Sequence, residues 1–307
     1  MRNLIYSIKK NLFKITKESL KIKRPSYTEL IKYQRFIKKD DNKFGLSFGS
    51  GRSGQNWFSK IFNSHSNWIG SCERFADYEA FYRYVSFYNL PVSKEGFFSL
   101  IELASKRDMA KYQNSLIASP YISFGVYELT KRLKPDYIFF NLRNPIKTVE
   151  SLHRKGWYLN FENIETIKSP MIDISENQYR SFSRIIPKDE YLKKWSSLSR
   201  IGKISWFWST INKSIYDDFK KCQNIEKFYI KLDDIDQNYD FYENLVRKFN
   251  LKKKMTKKQF HNVINKAPNK GNLEKYFYKD WSISEKREFE SIVNEIFPYY
   301  DEIKTNI

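Results

Sequence analysis

Glycine is scarce in this chain, ten residues in 307, yet four of the ten fall between Gly45 and Gly54. They punctuate Phe44-Gly45-Leu46-Ser47-Phe48, which reads as a short buried strand, and the turn that leads from it into a helix from about Gly54 to Asn63. Glycine at such a turn lets backbone N–H groups point inward and an anion approach closely. The helix that follows adds the positive end of its dipole. Arg52 supplies a full charge, and Ser53, Gln55 and Asn56 supply side-chain donors. The segment therefore reads as a phosphate-binding turn. It lacks the Gly-Lys-[Ser/Thr] ending of a triphosphate-binding loop, since Gln55-Asn56 follow Gly54, and this argues against nucleotide triphosphate hydrolysis.

Beyond that turn, strands and helices alternate. Asn67 to Cys72 reads as a second strand, followed by helices over Phe75–Tyr88 and Lys94–Lys106. Ser115–Ser119 is a third strand, with a helix from Tyr121 to Leu133. Tyr137–Leu142, Tyr-Ile-Phe-Phe-Asn-Leu, is a buried fourth strand, and Pro145 opens the next helix because proline is tolerated in the first turn. A long helix from about Tyr191 to Lys221 carries Trp195, Trp206 and Trp208, read as core. Lys227–Leu232 is a further strand, and helices around 239–250 and 284–297 flank a basic loop. Residues 160–190 lack periodicity and read as an irregular excursion facing a substrate. Alternation of this kind predicts an α/β fold, a three-layer sandwich with a central parallel sheet flanked by helices and a P-loop-like nucleotide-binding turn. The expected organisation is a basic helical segment over 1–43 and one domain over 44–307.

A second motif lies at the end of the fourth strand, Leu142-Arg143-Asn144-Pro145, with Ser151 about two helical turns further on. Arg143 falls at the carboxyl edge of the sheet, where ligands of open α/β folds bind. A guanidinium and a hydroxyl there can hold one terminal phosphate. The two motifs, Gly-Ser-Gly-Arg-Ser-Gly-x-x-Trp after the first strand and Leu-Arg-Asn-Pro with a serine eight residues after its arginine, resemble those of the sulfotransferases that use 3′-phosphoadenosine 5′-phosphosulfate (PAPS). The resemblance extends more loosely from about Phe44 to Pro298. It implies that PAPS is the co-substrate, that Gly51, Arg52, Ser53, Gly54, Gln55, Asn56 and Trp57 hold the 5′-phosphosulfate, and that Arg143 and Ser151 hold the 3′-phosphate. The family usually has threonine or serine where Gln55 and Asn56 stand. Lys270-Gly271 resembles the late basic segment with which the family closes over the nucleotide.

Sulfuryl transfer to a hydroxyl or amine asks for cations at the leaving oxygen and a base for the acceptor. Arg52 and the N–H groups at Gly54–Asn56 suit the first task. For the second, the resemblance implies a histidine or, in heparan-type members, a glutamate just after the second strand. Glu73 stands at that place and is the chosen base over His65, His153 and His261. Carbohydrate-directed and bacterial members often have arginine where Arg52 stands, so a carbohydrate or glycolipid acceptor is expected. One competing interpretation fits the first loop alone. Gly49, Gly51 and Gly54 also make G-x-G-x-x-G with Glu73 19 residues beyond, the fingerprint of an NAD(P)-dependent oxidoreductase.

Composition narrows the setting. Lys and Arg number 55 against 35 Asp and Glu, a net charge of +20 that gathers anionic partners. No nucleic-acid recognition motif accompanies it, so nucleic acid is not the expected partner. Two cysteines, Cys72 and Cys222, exclude a disulfide scaffold and a cysteine-based zinc site, and no metal-ligand cluster is visible. The expected location is cytoplasmic. Leu4, Ile5, Ile8, Leu12 and Ile15 recur at helical spacing among lysines, a pattern that suits peripheral contact with the inner face of a membrane.

Overall fold

The computed structural model describes residues 41–159, 182–235, 238–265 and 273–307, together with Thr28, Ile31 and Lys32. The expected basic helix of the first 40 residues and most of the 160–190 excursion lie outside these residues. Among the described residues five strands form one parallel sheet: β1 (Phe44–Gly49), β2 (Trp68–Cys72), β3 (Asn114–Ser119), β4 (Tyr137–Leu142) and β5 (Glu226–Lys231), in the order β2-β3-β1-β4-β5. A dinucleotide-binding fold runs 3-2-1-4-5-6 and keeps its second strand beside the first. Here β3 separates β1 from β2, so the match of Gly49, Gly51 and Gly54 to the dinucleotide fingerprint lacks the sheet order that goes with it.

The strands are apolar on both sides because both sides are covered. Leu46, Phe48, Ile117, Ile138 and Phe140 contribute to one core, and Leu116, Phe139, Phe228 and Ile230 to the other. Successive strand residues point to opposite faces, so these runs need no polar alternation. The helix after β1, α1 (Gln55–Asn63), lays Phe58, Ile61 and Phe62 on the second core. It sits so close to β2 that a Cβ at Gly70 would lie 1.9 Å from the Ser59 carbonyl oxygen. After β2 come α2 (Ala76–Tyr88) and α3 (Glu95–Tyr112), after β3 comes α4 (Val126–Leu133), and after β4 comes α5 (Pro145–His153). Asn144 caps α5 by accepting from the Lys147 N–H.

The single long helix expected over 191–221 is two helices, α6 (Asp189–Ser196) and α7 (Arg200–Lys221). The break is chemically closed. The Ser199 hydroxyl caps α7 by accepting from Gly202 N at 3.1 Å, and the buried Lys203 ammonium donates to the carbonyls of Ser196 and Leu198 at 3.1 and 2.7 Å. Trp195, Trp206 and Trp208 are buried in the first core, as expected. The chain between β3 and α4 stays irregular until Val126, where a helix from Tyr121 was expected. Ser119 Oγ takes the Tyr121 N–H, Ser123 Oγ donates to Gly49 O, and Gly125 sits at φ 72°. After β5 come the short α8 (Leu232–Ile235), α9 (Tyr239–Lys248), α10 (Lys257–Ile264) and α11 (Ile283–Ile296). The exposed edge of β5 is closed by the chain's last residues. Asn306 exchanges bonds with Tyr229, and Thr305 Oγ1 accepts from Lys231 N at 3.0 Å, which removes an open strand edge.

Candidate active site

Because all five strands are parallel, the loops after β1, β2, β3, β4 and β5 emerge at one edge of the sheet, and a cavity of about 610 Å³ opens there. The loop after β1 forms its floor. Gly51, Arg52 and Gly54 have φ of 85°, 59° and 86°, the left-handed backbone from which anion-binding nests are built. Gly54 precedes α1 with no side chain capping that helix, so its first-turn N–H groups stay available. The fit to a phosphate-bearing group also rests on buried polar atoms. Ser53 Oγ and Gln55 Nε2 are enclosed and have no hydrogen-bond partner. The loop tolerates no larger residue at Gly49, whose Cβ would stand 2.4 Å from Ser53 Oγ and 2.7 Å from the Asn141 carbonyl oxygen.

Arg143, at the end of β4, joins this loop directly. Its Nη1 donates to the Arg52 carbonyl oxygen at 3.2 Å, and Arg52 Nε donates to Ser151 Oγ on α5 at 2.8 Å. The two motifs that are 91 residues apart in sequence are thus one structure. Burial, the charge of Arg143 and that of Arg154 lower the proton affinity of the Arg52 guanidinium, while Glu73 opposes them. Lys155 is lowered for similar reasons, by desolvation and by Arg52 and Arg154. A guanidinium stays protonated regardless. Mutual repulsion of this kind is relieved when an anion binds between the cations.

Of the residues singled out from sequence, Gly51, Arg52, Gly54, Gln55, Asn56, Trp57, Glu73 and Arg143 line the cavity. Ser53, which is buried, and Ser151, which accepts from Arg52, are not among the lining residues. Lys270 and Gly271 lie outside the described residues, although Ile264 on one side lines the cavity and Leu273 on the other donates its N–H to Arg154 O. Glu73 sits directly after β2 at φ 53°, its N–H held by Ala118 O at 3.1 Å. The neighbouring Arg74 pairs with Asp108 at 2.6 Å. The histidines stand elsewhere. His65 Nδ1 meets Lys252 O at 2.9 Å, and His153 Nε2 meets Arg200 Nη1 at 3.2 Å. Burial and then Arg200 push His153 down to about 4.

Sequence reasoning missed most of the far wall. Tyr121 follows β3, Lys155 and Trp157 follow α5, and Arg83 joins them, while Ser183 and Arg184 on the same side fall in the 160–190 excursion read as facing a substrate. Tyr121 was within reach of the rule that ligands gather after strand ends, whereas Lys155 and Trp157 follow the end of a helix and were not. Arg83 lies mid-helix and carried no signal. It is buried, donates to the carbonyls of Ser183 and Pro120, and stands 4.9 Å over the Tyr121 ring. Among the described residues no His, Cys, Asp and Glu cluster could hold a metal ion, and no helix is long and apolar enough to cross a membrane.

No family model matches the chain, and no curated protein sequence matches it. Among solved structures, it is similar to the sulfotransferase domain from the curacin biosynthetic pathway. The two are 12% identical, with 83% of this chain and 97% of that one covered and a TM-score of 0.45.

Proposed function

We propose that the chain is an enzyme that moves a sulfuryl group from PAPS to an acceptor hydroxyl or amine, with a carbohydrate or glycolipid as the acceptor class. The observation that carries this reading is the junction of Arg52, Arg143 and Ser151 at one sheet edge, beside an uncapped helix start. Such a site suits a nucleotide with two separate phosphate groups. The loop from Gly51 to Trp57 takes the 5′-phosphosulfate, and Arg143, Ser151 and Lys155 take the 3′-phosphate. Lys270 and Gly271 belong to the same proposal.

The acceptor oxygen or nitrogen attacks sulfur in line as the bond from sulfur to the bridging phosphate oxygen breaks, so the electron pair leaves with adenosine 3′,5′-bisphosphate. Arg52 and the α1 N–H groups meet the charge that develops on that oxygen. Glu73, across from Arg52, takes the acceptor's proton. The acceptor lies against Tyr121, Trp157, Arg83 and Arg184. Its apolar faces pack against the aromatic rings, which Arg83 and Arg184 hold in place from 4.9 Å over Tyr121 and 5.9 Å over Trp157.

The test is direct. The intact protein, incubated with PAPS and a panel of neutral and acidic saccharides, is expected to release adenosine 3′,5′-bisphosphate and sulfate at least one acceptor, as mass spectrometry would register. Glu73→Gln is expected to slow the release by roughly 10²-fold or more without weakening nucleotide binding. Wild-type rates in Glu73→Gln would remove Glu73 as the base, and an intact protein inert to PAPS would remove the activity.

A further inference from the structure

Glu79 lies on the first turns of α2, fully enclosed, in a place where a carboxylate is expensive. Burial pushes it up to about 7, hydrogen bonds from Ser119 and Phe75 pull the other way, and the charge of Glu73 adds to the rise. The bonds it makes explain why a two-oxygen acceptor stands there. Oε1 accepts from Phe75 N at 3.0 Å, and Oε2 accepts from Ser119 Oγ at 2.6 Å. Phe75 is two residues after Glu73. Ser119 ends β3, and its Oγ in turn accepts from Tyr121 N at 3.0 Å. Glu73 N bonds to Ala118 O, so a closed ring runs from Glu73 to Ala118, Ser119, Glu79, Phe75 and back. One turn further along α2, Arg83 holds the carbonyls of Pro120 and Ser183. The two side chains point the same way, as residues four apart on a helix do. A plain helix cap would need Phe75 alone. The bond to Ser119 spans 40 residues of sequence and reaches the next strand.

We propose that Glu79 is a positioning residue for the transfer proposed above, fixing Glu73 and Tyr121 on the cavity wall by holding Phe75 N and Ser119 Oγ at once. The inference rests on the sulfotransferase reading. It extends the machinery to a side chain that touches neither nucleotide nor acceptor. Glu73 is held at φ 53°, a backbone conformation that non-glycine residues seldom adopt, and such a conformation persists only where its surroundings over-determine it.

The experiment uses the full chain with PAPS and water as acceptor, following release of adenosine 3′,5′-bisphosphate. Calorimetric binding of that bisphosphate and thermal midpoints are measured beside it. Glu79→Ala is expected to lower kcat by at least about tenfold while bisphosphate Kd stays within about twofold. Glu79→Gln is expected to recover most of the loss, because its amide oxygen can take the Phe75 N–H while its NH₂ donates to Ser119 Oγ. Ser119→Ala is expected to reproduce the split between kcat and Kd, and serves if Glu79→Ala does not fold. Turnover equal to wild type in Glu79→Ala or Ser119→Ala would overturn the proposal. So would a loss of binding and turnover in equal proportion, the mark of general unfolding. An intact protein that neither binds the bisphosphate nor releases it would sink the sulfotransferase reading itself, whatever the variants do.

Discussion

Arg52 and Glu73, from two different loops, share left-handed backbone conformations and face one cavity. Arg52 was legible from its glycine-rich turn, and Glu73 from the resemblance that places a glutamate just after the second strand. Glu79 was not, because a glutamate inside an amphipathic helix reads as a solvated side chain, and only burial reveals it. Its consequence for stability has a definite sign. The carboxyl is raised from 4.5 to about 7 in the folded chain, chiefly by burial. The folded state therefore binds the proton more tightly than the unfolded state does. That contribution is fully present below pH 4.5 and is lost as pH rises toward 7. Glu79→Gln removes the titration. Its stability relative to wild type is expected to improve by on the order of 3 kcal/mol between pH 4.5 and pH 8, as urea midpoints at the two pH values would measure. A constant difference across that range would mean that Glu79 does not titrate in place.

At the scale of elements, the turn from β4 into α5 is fastened from outside itself. Asp233, at the start of α8, accepts from Asn144 N at 2.7 Å, from Lys147 Nζ at 2.7 Å and from Tyr300 OH at 3.0 Å. Burial alone would raise its carboxyl, but these three bonds outweigh it and hold it below its ordinary value. The stabilisation is present above the unfolded-state value and is lost as pH falls through the folded one. Asp233→Ala strands three donors beside Arg143 and is expected to cost about 1–3 kcal/mol at pH 7. It should also weaken bisphosphate binding, with the stability loss fading below pH 4 in thermal melts. The strands were legible because short segments rich in apolar and aromatic residues, bounded by glycine, proline or polar turns, have few other readings. Tyr137–Leu142 coincides with β4. The helix break at 197–199 was not legible, since the capping serine and the inward lysine resemble ordinary surface residues. The helix α10 was missed although Thr256 and Gln259 form its capping box, a signal present in the sequence and passed over among lysines.

For the whole molecule, the sheet order decides more than any motif. A sequence gives strands in chain order, and long-range pairing settles which lie side by side. The placement of β3 between β1 and β2 therefore became visible only in three dimensions. The same pairing sets β4 against β1 and so carries Arg143 to Arg52. Most of the far wall was illegible for the same reason, being assembled from α2, the loop after β3 and the end of α5, whereas Ser183-Arg184 fall in the 160–190 stretch read as facing a substrate. The cations of the site, set within a net charge of +20, make ligand charge the quantity to probe. Calorimetric titration with adenosine 3′,5′-bisphosphate, beside Arg52→Ala and Arg143→Ala, does so most directly. Micromolar or tighter binding is predicted, weakened at least about tenfold, or about 1.4 kcal/mol, by each substitution. Absence of binding by the intact protein, or binding indifferent to both arginines, would contradict the two-phosphate site.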